Sequence, residues 1–328
     1  MTNVCNQNCP HCFGFDPERD GARLSWEEAR RIIDSAREAG VRGLTFTGGG
    51  EPLVNPDTPR AAAYAAESGI DVGFITNAQS LTPAAADVLL RCCVWLRVSL
   101  DAATPEVFRK THGGGPAQFA QVLDNIRRLV RRKAELGSRT TLGIGFLTAP
   151  GTAADIYGFA ALGKDLGVDY AQYRPLLRRR GEAEIDYSDG MMLAEMRRAA
   201  RDFSGEVYRV VCSEHKYQRI AEGRIARDYR RCYGQHFAMV AAADQRMYVC
   251  CHMRGVAKYA VGDLKRQSIA EVCDSAERLR VAEAVDFRDC PPLCRCDAFN
   301  QILWDLKDGG RGLDEAPADK GWEHRNFI

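Results

Sequence analysis

The chain has 328 residues, a net charge of +1, a hydrophobic content of 45% and a charged content of 27%. This composition is typical of a globular protein and gives no general argument for binding nucleic acid or an acidic membrane surface. No apolar run approaches the ~18 residues of a membrane span, and no secretory signal peptide is visible.

Thirteen cysteines are many for such a chain. Most of them fall into two groups, within residues 5–12 and 232–296, with glycine-rich α/β sequence between them. Disulfides are typical of secreted proteins, whereas grouped cysteines in a reducing compartment are typical of metal centres. We therefore predict two metal centres in a cytoplasmic protein. The outlying cysteines are interpreted as small buried residues: Cys92, Cys93, Cys212 and Cys273.

The first cysteine group has the spacing Cys5-x3-Cys9-x2-Cys12. Iron–sulfur clusters are held by cysteine thiolates, normally four for a 4Fe-4S cluster. Three thiolates in one loop would leave the fourth iron open, as a catalytic metal requires. A zinc knuckle is the alternative, but it needs a fourth ligand, and His11 cannot easily turn onto a metal that both of its neighbours bind.

A helix and a strand follow the cysteine loop. Ser25 and Glu28 form a capping box, which predicts a helix that ends at Gly40. Residues 43–47 are predicted to form a strand that leads into Gly48-Gly49-Gly50-Glu51-Pro52. Glycines allow the backbone to approach a ligand closely. A glycine triplet alone usually marks a turn, so its weight here comes from the cysteine loop that precedes it.

These two motifs, with the aromatic Phe13 after the last cysteine, resemble those of the radical S-adenosylmethionine enzymes, over roughly the first 175 residues. The resemblance implies that the open iron binds the amino and carboxylate groups of S-adenosylmethionine. One electron then cleaves the sulfonium, and a 5′-deoxyadenosyl radical abstracts hydrogen from a substrate. It also implies an external one-electron reductant, such as a flavodoxin or ferredoxin. Because only four residues precede Cys5, we expect the native protein to have an additional N-terminal segment.

Strand patterns at 72–77, 95–101, 140–146 and 169–174 alternate with helix patterns at 59–68, 83–91, 119–136 and 153–166. This alternation predicts an α/β fold with a parallel sheet. With a truncated first strand, it suits the family's partial (β/α)6 barrel. We predict that the barrel comprises residues 1–176, followed by a helical bridge at 177–230, a small α+β domain at 231–310 and a tail at 311–328. The bridge begins with three arginines, 178–180, which either contact an anionic or hydroxylated substrate or face solvent.

Polar residues stand at the carboxyl ends of the predicted strands, where α/β proteins carry their ligand sites. Ser99 and Asp101 are candidates to contact the cofactor, or else to cap a helix that starts near Thr104. Arg174 is a candidate partner of the cofactor carboxylate, or else belongs to a surface ion pair. The full set of cofactor contacts implied by the resemblance is His11, Phe13, Gly48, Gly49, Gly50, Glu51, Asn77, Ser99, Asp101 and Arg174.

The second cysteine group surrounds a predicted β-hairpin with its turn at Asp244-Gln245. Cys232 precedes the hairpin and Cys250 closes it, and three more cysteines lie between helices predicted at 268–284 and 298–307. The arrangement resembles the Twitch domain, a shortened form of the SPASM domain. The resemblance implies a second 4Fe-4S cluster whose ligands are four of five cysteines: Cys232, Cys250, Cys290, Cys294 and Cys296.

The ligand set leaves two points open. We expect Cys232, Cys250 and Cys290 to bind, with either of the remaining two as the fourth ligand, and a closed zinc site is the alternative. The surplus Cys251 is a candidate hydrogen donor to a substrate radical, or else a buried thiol.

Three functions fit these features. The first is a radical enzyme of natural-product biosynthesis that removes hydrogen from a small polar molecule, a sugar, cyclitol or nucleoside, and so leads to dehydrogenation, decarboxylation, dehydration or epimerisation. The second is modification of a ribosomally made peptide, against which stands the lack of a visible winged-helix segment for a leader peptide. The third is a non-catalytic iron–sulfur sensor or scaffold, against which stands the glycine loop. The first is the function that we expect, with neither nucleic acid nor membrane as a partner.

Overall fold

The larger part of the chain is built on one parallel sheet. The structure, a computed structural model, describes residues 1–12, 21–177, 185–187, 190–308 and 324. Six strands are arranged in chain order, and every neighbouring pair is parallel. They are Gly43–Phe46 (β1), Asp71–Thr76 (β2), Cys93–Ser99 (β3), Thr141–Thr148 (β4), Tyr170–Pro175 (β5) and Arg209–Cys212 (β6). The sheet confirms the predicted α/β class.

Helices connect these strands. They are Trp26–Glu38 (α1), Thr58–Glu67 (α2), Pro83–Cys92 (α3), Pro105–His112 (α4), Pro116–Leu136 (α5), Ile156–Leu166 (α6), Met191–Phe203 (α7) and Glu214–Ala221 (α8). Helix α1 begins with the predicted capping box, in which Ser25 Oγ accepts a hydrogen bond from Glu28 N and the Glu28 carboxylate accepts one from Ser25 N. Across the described ranges, no helix is long and apolar enough to cross a membrane.

Glycines make room for large side chains on one face of the sheet. On β3, Leu96 and Val98 are fully buried, and Trp95 points to the opposite face. A Cβ atom at Gly73 on β2 would lie 2.2 Å from the Trp95 ring, and one at Gly143 on β4 would lie 2.1 Å from the ring of Tyr170 on β5. Real Cβ atoms do not approach so closely, so the large side chains of β3 and β5 depend on these glycines.

The sixth strand corrects the predicted helical bridge. Cys212 was expected on a helix but lies at the end of β6, which pairs with β5 through Tyr170–Arg209 and Tyr173–Cys212. Two consecutive valines in this segment favour a strand, because β-branched side chains fit the pleated surface of a sheet. The parallel sheet thus continues past residue 176, and the helix predicted up to Arg230 is wrong, since α8 ends at Ala221.

The smaller part contains a three-stranded antiparallel sheet and three helices. Its elements are Val240–Ala241 (β7), Arg246–Tyr248 (β8), Ala260–Asp263 (β9), Ile269–Asp274 (α9), Ala276–Glu283 (α10) and Asp297–Lys307 (α11). The predicted hairpin turn is confirmed, with Gln245 at a φ of 64° and Asp244 Oδ1 accepting from Arg246 N. The single helix predicted at 268–284 is wrong, because Ser275 ends α9 and caps α10.

The smaller part packs against helix α1. Gln245 at the hairpin turn donates to the Glu28 carboxylate over 2.7 Å and accepts from Arg31 over 2.6 Å. Ser35 Oγ accepts from the backbone N–H of Ile269 at the start of α9 over 2.7 Å. These contacts involve both polar side chains and backbone, so they fix the orientation of the small sheet relative to α1.

Replacing Gly143 with alanine tests the packing inside the sheet. We expect Gly143→Ala to lower the free energy of unfolding by about 1–3 kcal/mol, because the new methyl group overlaps the Tyr170 ring. Urea denaturation measures this. Gly151→Ala is the control, since no heavy atom lies within 4 Å of the Cβ position there. Equal stabilities of the two variants would contradict the packing described above.

Candidate functional site

The glycine loop packs directly against the residues that lead into the cysteine loop. The backbone N–H of Gly50 donates to the Thr2 carbonyl over 2.9 Å, and that of Glu51 donates to the Val4 carbonyl over 3.0 Å. A Cβ atom at Gly50 would lie 1.9 Å from the Val4 carbonyl oxygen. Only glycine fits this position, and the two loops predicted to bind one cofactor are therefore neighbours.

Glu51 holds the glycine loop to the end of strand β2. Its buried carboxylate accepts from Thr76 Oγ1 over 2.6 Å, from Asn77 N over 2.8 Å and from Leu53 N over 3.1 Å. Burial raises the pKa of Glu51 above its usual value, although these hydrogen bonds oppose the effect. Asn77 in turn donates to Asn6 in the cysteine loop over 2.7 Å. Glu51 and Asn77, which were both predicted to contact the cofactor, thus hold the glycine loop and the cysteine loop in place through contacts within the protein.

The three cysteines of the first group lie half-buried in one loop, and they influence one another electrostatically. Burial raises the pKa of the Cys9 thiol, and the charges of Asp101, Cys12 and Cys5 raise it further. Three adjacent thiolates are unfavourable without a neighbouring positive charge, which bound iron would supply. The donor set therefore fits a cluster that takes one thiolate per iron.

Asp101 forms a buried network beneath this loop. Its backbone has a φ of 49°, and its carboxylate accepts from Leu147 N over 2.6 Å and lies 3.4 Å from His112 Nε2 and 3.8 Å from His11 Nε2. Burial raises the pKa of Asp101, but the two neighbouring histidines outweigh it and hold the pKa well below its usual value. His112 Nδ1 lies 3.2 Å from the Cys9 sulfur, so the network reaches the predicted cluster ligands.

The alternative role of Ser99 and Asp101 as helix caps is wrong. Thr104 is the residue that caps α4, because its hydroxyl accepts from Val107 N over 3.4 Å. Ser99 lies half-buried at the end of β3, and its contact with a cofactor stays a prediction.

Arg174 lies on β5, and it has no ion-pair partner within the part of the chain that the structure describes. Arg97 on β3 lies close enough to lower its pKa to about 10, and burial adds to this effect. Sequence reasoning missed Arg97, although its spacing of two from Ser99 places both on one face of the strand. The other predicted contact, Phe13, lies outside the described residues, as do the arginines at 178–180.

The second cysteine group lines one partly open cavity. Six cysteines face it: Cys232, Cys250, Cys251, Cys290, Cys294 and Cys296. No three His, Cys, Asp or Glu side chains in the described ranges converge closely enough to hold a single ion. An iron–sulfur cluster does not require such convergence, because each of its irons takes its own cysteine. The ring of thiols around an open space fits such a cluster.

The thiols around this cavity differ in acidity. Burial raises the pKa of Cys290 to about 12 and that of Cys294 to about 11. Cys251 is the exception, because the hydrogen bond and charge of His252, with two nearby arginines, outweigh burial and lower its pKa to about 6. A hydrogen-atom donor must retain its S–H bond, so this lowered pKa does not favour the donor role considered for Cys251.

An arginine of the smaller part reaches the glycine loop. Arg254 follows the second strand of the hairpin, and its Nη1 donates to the Gly48 carbonyl over 2.6 Å. Gly49 is also tightly packed, since a Cβ atom there would lie 2.0 Å from Asn3 Oδ1. No sequence pattern predicted Arg254, because the contact joins residues that are 206 positions apart.

The role of Glu51 can be tested on stability alone. We expect Glu51→Gln to lower the free energy of unfolding by about 1–3 kcal/mol at pH 7, because an amide cannot accept from all three donors. Since the folded pKa of Glu51 is raised, wild type should gain stability relative to the variant as pH falls from 7 towards about 4. Chemical denaturation at several pH values measures both effects. The exposed Glu38→Gln is the control, and a pH-independent difference would contradict the raised pKa.

The sequence comparisons agree with this arrangement. Residues 1–148 match the profile of the Radical SAM superfamily. The chain is 33% identical over 161 residues to the mycofactocin maturase MftC of Mycobacterium ulcerans, which covers 48% of this chain and 43% of the relative. It is 28% identical over 206 residues to the dTDP-4-amino-4,6-dideoxy-D-glucose ammonia-lyase of Streptomyces venezuelae, and this alignment covers 58% of this chain and 42% of the relative. The chain thus spans less than half the length of these relatives.

Among solved structures, the fold is similar to that of Streptococcus suis SuiB bound to the precursor peptide SuiA. The TM-score is 0.65 at 14% identity, and the likeness covers 87% of this chain and 65% of SuiB. At this identity the comparison shows the fold alone. The profile match and the paired cysteine and glycine loops agree with this fold, and residues 1–148 of the chain are similar to the Radical SAM superfamily.

Proposed function

We propose that the chain is a radical S-adenosylmethionine enzyme that modifies a peptide. The observation that carries the enzymatic part is the backbone pairing of Gly50 and Glu51 with residues 2–4, which joins the two cofactor loops. The peptide part is supported by the similarity to a maturase and by the fold neighbour that holds a precursor peptide. The sugar or nucleoside substrate favoured by the sequence becomes the second candidate.

In this proposal the cysteine loop, the glycine loop and the Asp101 network have separate roles. Cys5, Cys9 and Cys12 would hold a 4Fe-4S cluster, and the backbone from Gly48 to Gly50 would face the methionine end of S-adenosylmethionine. The bound pair would supply one-electron chemistry that ends in hydrogen-atom abstraction from the substrate. Asp101 and its two histidines would keep the cysteine loop in place from below, through the contact of His112 with Cys9.

The second cysteine cavity would hold an auxiliary 4Fe-4S cluster. Cys232, Cys250 and Cys290 are the proposed ligands, with Cys294 or Cys296 as the fourth. Asn300 on α11 donates towards the Cys232 sulfur over 3.8 Å, and such hydrogen bonds tune the potential of a cluster. A cluster without an open iron would be suited to accept one electron from the substrate radical, which is thereby oxidised.

A sugar nucleotide is the second candidate substrate. The match to the sugar ammonia-lyase extends over 58% of this chain, further than the match to the maturase. Anaerobic affinity capture followed by mass spectrometry separates the two candidates. A retained peptide that carries a mass change after reduction would support the first proposal, whereas a retained nucleotide sugar would replace it with the second.

Iron analysis and product assays test both clusters. We expect anaerobic reconstitution to give about eight irons per chain, and dithionite reduction with S-adenosylmethionine to yield 5′-deoxyadenosine. Cys9→Ala should abolish 5′-deoxyadenosine, whereas Cys232→Ala should lower the iron content towards about four because it opens only the auxiliary site. Cys273→Ala on α9 is the control and should change neither value. No product from a fully loaded wild type would contradict the enzymatic proposal, and bound zinc would make the second site structural.

Removing Arg254 tests whether the smaller part supports cofactor binding. We expect Arg254→Ala to weaken S-adenosylmethionine binding by about five- to tenfold, because the Gly48 carbonyl loses a charged donor. Arg254→Lys should recover part of the affinity. Equilibrium dialysis on preparations of equal iron content measures the effect, with exposed Arg266→Ala as the control. An unchanged affinity in Arg254→Ala would show that the contact does not position the loop.

A further inference from the structure

Two arginines lie on the glycine-lined face of the sheet, on the two strands that flank β4. Arg97 on β3 pairs in register with Gly143 on β4, and Arg174 on β5 pairs with Leu147. A Cβ atom at Gly145, between these positions, would lie 3.2 Å from Cδ of Arg97. The glycines of β4 therefore leave space for the Arg97 side chain to reach across towards β5.

Negative charge compensates this pair only in part. The Nε atoms of both Arg97 and Arg174 are buried without a hydrogen-bond partner. Arg97 Nη1 donates to the neutral amide oxygen of Gln172 over 2.7 Å, and neither guanidinium forms an ion pair in the described ranges. The charge of the nearby Asp101 raises the pKa of Arg174, but its carboxylate contacts Leu147 N and the histidines, and it forms no ion pair with either arginine. Buried like charges in this arrangement are unfavourable until an anion joins them.

The surroundings extend this positive region towards the second cysteine cavity. Lys216 on α8 has a lowered pKa, mainly through burial and in part through the charge of Arg174. The thiols of Cys294 and Cys296 act on the same lysine in the opposite direction. Helix α8 contacts both regions, because Tyr217 OH lies 2.6 Å from Thr148 Oγ1 on β4 and Arg219 donates to Asp297, next to Cys296, over 2.8 Å.

We propose that Arg97 and Arg174 form an oxyanion subsite that binds a carboxylate or phosphate group of the substrate. This inference rests on the proposed radical function. Guanidinium groups bind such oxyanions through paired N–H donors, and both unpaired Nε atoms are donors of this kind. A carboxylate would belong to an acidic or C-terminal residue of a peptide, and a phosphate would belong to a nucleotide sugar.

The cofactor's own carboxylate is a poorer match for the pair. In S-adenosylmethionine the carboxylate and the amino group are attached to the same carbon. The glycine loop follows β1, so a methionine end bound beside this loop places the carboxylate near β1 as well. Strands are about 4.8 Å apart, so β3 and β5 are about 10 Å and about 19 Å from β1 along the curved sheet. Arg97 also lies two residues before the end of β3, about 7 Å deeper than Ser99.

Anion-dependent stability of the reconstituted full-length protein tests the subsite. Sodium phosphate and sodium acetate are compared with sodium chloride at equal ionic strength, with and without saturating S-adenosylmethionine. We expect one or both oxyanions to raise the melting temperature by roughly 2 °C at about five times their Kd, with cofactor present or absent. Arg97→Gln should lose this increase, Arg97→Lys should keep part of it, and exposed Arg91→Gln should keep all of it.

The outcomes show whether the bound oxyanion comes from a phosphate of the substrate, from a carboxylate of the substrate or from the cofactor. A response to phosphate alone would indicate a phosphate-bearing substrate, and a response to acetate would indicate a carboxylate, and both support the subsite. An equal response in Arg97→Gln, or no response in wild type, would overturn it. Loss of the response with S-adenosylmethionine would assign the arginines to the cofactor and also overturn it. Should Arg97→Gln not fold, Arg174→Gln replaces it. Formation of 5′-deoxyadenosine by wild type, measured in parallel, reports separately on the proposed function.

Discussion

The candidate site depends on the pairing of two backbone segments. The glycine loop donates two hydrogen bonds to the carbonyls of Thr2 and Val4, and its glycines allow an approach that any Cβ atom would prevent. Glu51 then fixes the same loop to the end of β2. The cysteine loop has little regular structure of its own, so its place beside the glycine loop follows from this contact.

Local features of this site were predictable, because each is encoded within a few residues. The cysteine spacing, the capping box at Ser25 and the hairpin turn at Gln245 all depend on near neighbours in the chain, and the last two are confirmed. Arg254 and Arg97 were missed for the opposite reason. Each acquires its role from elements that are far away in sequence, and an arginine by itself is most often a solvated surface residue.

The corrections have the same physical origin. Cys212 was expected on the helical bridge, yet it lies in a four-residue strand that is stabilised by pairing with β5. Such pairing is tertiary and overrides local preference in short segments. Asp101 illustrates the point for side chains: its position after β3 indicated a polar role, but only the fold shows the two histidines that occupy its carboxylate.

The buried arginines of this chain differ in whether the protein supplies negative charge beside them. The net charge is only +1, but two arginines, Arg295 and Arg254, act on the thiol of Cys251 in the second cysteine group. Burial lowers the pKa of Arg295, but the thiols of Cys251 and Cys296 outweigh it and raise the pKa, so this arginine has partners within the protein. In Arg174 the charge of Arg97 and burial outweigh the charge of Asp101 and lower the pKa, and the Nε atoms of both arginines have no hydrogen-bond partner in the described chain. Because the charge of Arg97 also acts against that of Arg174, the anion that compensates this pair is best sought among its ligands.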